Sequence, residues 1–173
     1  MATLVLTAIG DDHAGLVSAL SGVIAEHDGN WETSRMAHLA GKFAGIALIT
    51  VPDGNAEALI ADLEPLEKQG LLDITAELSA PGQAATGASL TLELVGLDHP
   101  GIVRDVTDAL AARSVNIEEL VTETVEAPMD GGTLFKARAS LVLPESVSSD
   151  DLTEVLEELA AQLMVDIEID EVG

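Results

Sequence analysis

The sequence predicts an α+β protein built from two ferredoxin-like βαββαβ units, each a four-stranded antiparallel sheet with its helices on one face. Three observations predict it. The phrase GDDHAG at 10–15 returns as GLDHPG at 96–101. The match extends in register on both sides of the phrase, an order that chance recurrence does not produce. Within each copy, the apolar period switches between two and 3.6 in the order strand, helix, strand, strand, helix, strand.

The two copies align at an offset of 86 through the phrase, with TLVLTAI (3–9) over SLTLELV (89–95) and Asn30 over Asn116. Beyond that the offset is 92, with Phe43 over Phe135 and Pro52 over Pro144. The second copy therefore carries six extra residues, placed in EAPMDGG (126–132). Small and polar residues with Gly and Pro separate the copies. The reading is a first domain at 1–79, a linker at 80–88 and a second domain at 89–173.

Each element has its own reason. Leu4, Leu6 and Ala8 alternate with Val5, Thr7 and Ile9, which opens the copy with a strand. Leu16, Leu20, Val23 and Ile24 form one helical stripe, matched by Ile102, Val106, Ala109 and Leu110. Gly29 is expected to stop the first helix. NWETSRMAHL, AG and KFAGIALITV read as a hairpin. NAEALIADLEPLEK is a second helix, expected to weaken or kink at Pro65. LLDITAEL and MVDIEID close the two copies as strands, with Val165, Ile167 and Ile169 sharing a face.

The sheet faces turned away from the helices are expected to differ. Lys136, Arg138 and Ser140 make that face wet in the second copy. Ala44, Ile46 and Leu48, beside Val5 and Ile9, make it apolar in the first. An apolar outer face needs a cover, here another domain or a second chain, so a homodimer is among the expected assemblies.

Composition narrows the function. There is no cysteine, so disulfides and thiolate–metal sites are excluded. Seven Lys and Arg stand against 31 Asp and Glu, a formal net charge of -24. Nucleic-acid affinity rests on cations that neutralise phosphates, so direct nucleic-acid binding is not expected, nor is attraction to anionic lipid. The apolar runs are short and interrupted, and a signal-peptide pattern is absent, which reads as a cytoplasmic protein without a membrane span. Neither a catalytic motif nor a positioned nucleophile stands beside the Asp–His pairs, so no enzyme is expected. The four histidines lack metal-ligand spacing, so neither a metal nor another cofactor is expected.

The repeated phrase sits where the first strand turns into the first helix. A helix N-terminus presents unpaired N–H groups and partial positive charge, which suit a carboxylate. Gly15 and Gly101 leave room for close approach to that backbone. Asp12 and Asp98 suit either an ammonium group or a helix cap, and taken alone the cap is favoured. Asn30 and Asn116 begin the next strand, expected near the same end of the unit, with an amide that both donates and accepts. A carboxylate site beside an ammonium acceptor describes a free α-amino acid.

This tandem pattern, with D-H-x-G-[LI]-V after the first strand, resembles ACT domains, regulatory modules that bind amino acids. ETSRMAHLAGKFAGI (32–46) and ETVEAPMDGGTLF (123–135) resemble one branch more closely. That branch is the glycine cleavage system transcriptional repressor family, two ACT domains without a catalytic domain. The resemblance covers nearly the whole chain. It places the ligand loops on Gly10–Leu16, hence Asp11, Asp12, His13, Ala14, Gly15 and Leu16, and on Gly96–Ile102, hence Asp98, His99, Pro100, Gly101 and Ile102. Ala14 stands where the pattern has the proline that Pro100 keeps. The resemblance implies a small, glycine-like ligand and repression, while the charge implies that a protein partner makes the DNA contacts. The alternative is an interaction module without a small-molecule ligand.

Overall fold

A computed structural model describes residues 1–80, 85–129 and 131–173. The chain divides into two compact units, Met1–Gly82 and Gln83–Gly173. Residues 81–84 of the expected linker and Asp130 of the expected insertion lie outside the described residues.

The first unit runs β1 (Ala2–Asp11), α1 (Leu16–Glu26), β2 (Asn30–Leu39), β3 (Lys42–Val51), a 3-10 turn (Asp53–Asn55), α2 (Ala56–Lys68) and β4 (Asp73–Leu78). Its sheet order is β2-β3-β1-β4, antiparallel throughout. The second unit runs β5 (Ala88–Leu97), α3 (Ile102–Ala111), β6 (Asn116–Glu126), β7 (Thr133–Leu143), α4 (Ser149–Leu163) and β8 (Val165–Glu171). Its order, β6-β7-β5-β8, is the same. Both units are ferredoxin-like, as the sequence predicts.

Each unit has its own aliphatic core. In β1, Leu4, Leu6 and Ala8 are buried, and α1 adds Leu16, Leu20 and Ile24. Leu59 and Leu63 of α2 complete the first core. In the second, Leu90, Leu92 and Leu94 pack with Ile102, Val106 and Leu110 of α3 and Leu152 and Leu156 of α4. Burying each such side chain contributes about 1.5–3 kcal/mol, so these stripes dictate which helix face meets the sheet.

The duplication reaches down to the backbone. Gly10 pairs with Phe43, and Gly96 with Phe135. Each second strand is irregular at the same place, between Trp31 and Thr33 and between Ile117 and Glu119. The β2–β3 hairpin closes on Ala40 and Gly41, both at positive φ (49 and 79), the form of a type I′ turn. The β6–β7 hairpin is one rung longer and closes from Glu126 to Thr133 around the insertion. Met129 on that loop is 98% exposed.

Three expectations change. The first helix ends at Glu26, and Asp28 rather than Gly29 takes the left-handed conformation (φ 57), which Asp tolerates. Ser114 does the same in the second copy (φ 56). Helix α2 continues through Pro65 to Lys68, although the proline has no N–H to give the Ala61 carbonyl. Strand β5 begins at Ala88, inside the expected linker.

The outer faces differ as expected. In the first unit, Ile9 and Ile46 are about half exposed (50% and 52%), with Leu48 also exposed. In the second, Lys136, Arg138 and Glu93 are exposed, and Arg138 Nε lies 3.7 Å from Glu93 Oε1. Among the described residues no helix is long and apolar enough to cross a membrane.

Candidate functional site

Both copies of the repeated phrase form the same turn. Gly15 and Gly101 are the N-cap residues of α1 and α3, at φ 96 and 97. Their carbonyls accept the first helical bonds, from Ala19 N–H and Asp105 N–H, each at 2.9 Å. The first-turn N–H groups ahead of those bonds have no intrahelical partner, and the glycine caps carry no side chain to reach them. Helix α4 shows the contrast, because its Ser148 hydroxyl accepts from Asp151 N–H at 3.1 Å.

The first glycine of each phrase has a different origin. A Cβ on Gly10 would stand 2.3 Å from the Leu71 carbonyl oxygen, and one on Gly96 would stand 2.8 Å from Val165 Cβ. Close strand approach requires these two, whereas the turn itself requires Gly15 and Gly101. Each loop is pinned to the neighbouring hairpin end: Asp12 N–H donates to the Gly41 carbonyl (2.9 Å), and Asp98 N–H to that of Thr133 (2.8 Å).

The capping expectation for Asp12 and Asp98 does not hold, because glycine occupies the cap position in both units. Both aspartates are exposed, as are Asp11, His13, Ala14 and Pro100, while Leu16 and Ile102 anchor the loops in the cores. Asp12 Oδ2 lies 3.6 Å from His38 Nε2. Lys42 pairs with Asp11 and holds its carboxyl below the usual value, by hydrogen bond first and by charge second.

The second loop is held by its histidine. His99 Nε2 lies 3.0 Å from the Leu163 carbonyl oxygen at the end of α4, and Nδ1 lies 3.1 Å from that of Pro100. Two carbonyl acceptors on two ring nitrogens favour the imidazolium, and they raise the His99 pKa, Leu163 contributing most. His13 in the first loop meets the adjacent Ala14 carbonyl through Nδ1, at 3.0 Å.

The asparagines lie elsewhere within each unit. Asn30 pairs with Thr50, which pairs with Thr3 at the start of β1. Asn116 pairs with Val142, which pairs with Ser89. Gly10 and Gly96 are seven residues farther along those strands, about 24 Å at 3.4 Å per residue. The expectation that Asn30 and Asn116 begin near the loop is thus corrected, because α1 and α3 carry the chain back along the sheet before β2 and β6 start. Asn30 Nδ2 donates to Glu32 Oε1 (2.7 Å), which also accepts from the Thr50 hydroxyl (2.8 Å). Those bonds, the Thr50 one foremost, lower the Glu32 pKa.

Three cationic or titratable neighbours emerge only with the fold. Lys42 and His38 reach the first loop because the β2–β3 hairpin returns beside the end of β1. Their counterparts by register in the second unit are Leu134 and Thr124. There the cation is Arg104 of α3, whose Nη2 would lie 3.2 Å from a Cβ on Gly101 and pairs with Asp105 at 2.9 Å. Arg104 lies in the first turn of α3, three residues after Gly101. Among the described residues no three His, Asp or Glu side chains converge as metal ligands.

The ACT domain family profile matches residues 2–77. The glycine cleavage system transcriptional repressor of Escherichia coli (strain K12) is 26% identical over 162 residues, covering 92% of this chain and 85% of the relative. That of Shigella flexneri matches equally. A crystal structure of an unknown protein from Galdieria sulphuraria is 30% identical, covers 99% of each chain and superposes with a TM-score of 0.88. The crystal structure of a protein provisionally named glycine cleavage system transcriptional repressor shares the fold, with 21% identity, a TM-score of 0.70, and 99% and 97% of the two chains covered. The first unit thus belongs to the ACT domain family, the second repeats its topology, and the chain is similar along most of its length to the glycine cleavage system transcriptional repressors.

Proposed function

We propose that this chain is a non-enzymatic, cytoplasmic regulator that binds a small, glycine-like amino acid at Gly10–Leu16, Gly96–Ile102 or both, and acts on transcription or metabolism through a protein partner. One observation carries the reading: two loops, 86 residues apart, share the same left-handed glycine cap (φ 96 and 97) and leave a helix N-terminus without a side-chain cap. Such a terminus suits a carboxylate. Each loop has exposed acids, Asp11 and Asp12 or Asp98, to receive an ammonium group, and a cation nearby, Lys42 or Arg104.

The rims differ at one rung, where Asp11 pairs with Lys42 beside the first loop and Leu97 with Leu134 beside the second. The two loops are therefore expected to differ in affinity. Asn30 and Asn116 lie too far along the sheet to join the loop of their own unit. The net charge of -24 leaves the DNA contacts to the partner.

Equilibrium dialysis of the full chain against a panel of amino acids tests the reading. Saturable uptake of a small amino acid, weakened by Arg104→Ala or Lys42→Ala, is expected. Absence of uptake across the panel would favour a ligand-free interaction module, for which the 98% exposed Met129 is the best docking element.

A further inference from the structure

We propose that His99 is the positioning residue of the second loop, an imidazolium clasp that holds Gly96–Ile102 against the end of α4 and loosens it when the ring loses a proton. This rests on the amino-acid binding proposed above for one consequence only, an affinity at the second loop that falls as pH rises.

The clasp is a matter of donors and acceptors. Helix α4 passes into β8 through the single residue Met164, at φ 54. The last carbonyls of a helix have no intrahelical partner, and the partial negative charge there favours a cation. Leu163 ends α4, and His99 Nε2 lies 3.0 Å from its carbonyl oxygen. Nδ1 of the same ring lies 3.1 Å from the Pro100 carbonyl oxygen. A carbonyl oxygen only accepts, so each contact needs an N–H. The imidazolium has two and the neutral ring one. Deprotonation therefore costs one contact and turns a ring lone pair toward an oxygen. Losing Leu163 frees the loop from α4. Losing Pro100 frees the peptide that leads into Gly101, the cap of α3.

The charges around the ring favour the proton. Asp98 acts from the loop and Asp105 from α3, where Asp105 also pairs with Arg104 at 2.9 Å. The last acids of α4, Glu157 and Glu158, lie five or more residues before Leu163. In β8, Asp166 follows the buried Val165 and so points to the sheet face away from the helices. The first loop is built differently. Residues 69–72 separate α2 from β4, and the hydrogen bond that His13 makes among the described residues is with the adjacent Ala14 carbonyl, at 3.0 Å. One contact needs one N–H, which the neutral ring keeps.

The test is NMR of the full, isotopically labelled chain, with glycine as the probe. Without glycine, the His99 ring should titrate above the ordinary 6.5, and the Gly101 and Ile102 amides should shift with the same midpoint. His99→Gln, whose side-chain amide can still donate to Leu163, should abolish that shift. With glycine, the affinity read at Ile102 and Val103 should be greatest below the midpoint and fall by about fivefold or more from pH 6 to pH 9. His99→Gln should level that profile, and any affinity at Leu16 and Val17 should stay level in both proteins. By linkage, glycine should also raise the His99 midpoint. Loop amides that ignore the His99 midpoint, or a glycine affinity at Ile102 that is level across this range in the wild type, would overturn the proposal. Loop amides that follow His99 while glycine binds at no pH would support the clasp and overturn the binding reading instead.

Discussion

Replacing Gly15 with alanine should destabilise the first unit, and replacing Gly22 with alanine should stabilise it, although both glycines face open space. A Cβ at either position would meet nothing within 4 Å. The difference is backbone conformation. Gly15 sits at φ 96, where an L-residue pays about 1–2 kcal/mol, partly offset by about 0.4–1 kcal/mol of unfolded-state entropy. The net loss is near 1 kcal/mol. Gly22 lies inside α1, where alanine is favoured by about 0.8–1 kcal/mol. The two variants should therefore differ by about 2 kcal/mol with opposite signs. Urea denaturation followed by fluorescence of Trp31, the chain's single tryptophan and half-buried in this unit, measures both. Gly101→Ala should repeat the loss in the second unit, because its φ is 97 and the nearest obstacle is the movable end of Arg104. A neutral or stabilising Gly15→Ala would refute the left-handed cap, and with it the presentation of the helix amides.

Titration of stability should single out His99. Its pKa is raised in the folded chain, chiefly by the Leu163 carbonyl and next by that of Pro100, so its contribution is complete below the unfolded value near 6.5 and fades as pH rises through the folded value. Melting temperatures taken from pH 6 to pH 9 should fall less steeply in His99→Gln than in wild type, and parallel curves would reject the contact. Ala40, at φ 49 in a two-residue hairpin turn, should gain about 0.5–1 kcal/mol on replacement with asparagine, read as a higher urea midpoint. Leu59→Ala and Leu156→Ala, at positions 0% and 1% exposed, should each cost about 2–5 kcal/mol in chemical denaturation, and losses well below that would mean looser cores than the burial implies.

The fold was legible because burial in each element follows its own period. Leu4, Leu6 and Ala8 alternate and are buried in a strand, and Leu16, Leu20 and Ile24 form a helical stripe and are buried in a helix. The second glycine of each phrase was legible for the same kind of reason, a turn that only glycine makes cheaply. The place of Asn30 was misjudged because sequence proximity to the loop ignores the 11-residue helix between them, which spans about 16 Å and returns the chain toward the start of β1. Lys42 against Asp11 depends on cross-strand register, and His99 against the Leu163 carbonyl joins residues 64 apart. Local patterns carry no trace of such pairings. The exposed Asp12 and His13 stand out by recurrence, yet the contacts of the two copies differ: Asp12 faces His38, and His99 reaches the Leu163 carbonyl.

Amide-resolved NMR of the isotopically labelled chain, titrated with glycine and then with larger amino acids, tests ligand binding most directly. The expected result is saturable shifts at the first-turn amides Leu16 and Val17, Ile102 and Val103, or both pairs, with Gly15→Val and Gly101→Val abolishing the response at their own loop while the remaining spectrum stays folded. Saturable shifts confined to other parts of the chain, or an unperturbed spectrum with every amino acid tried, would contradict it.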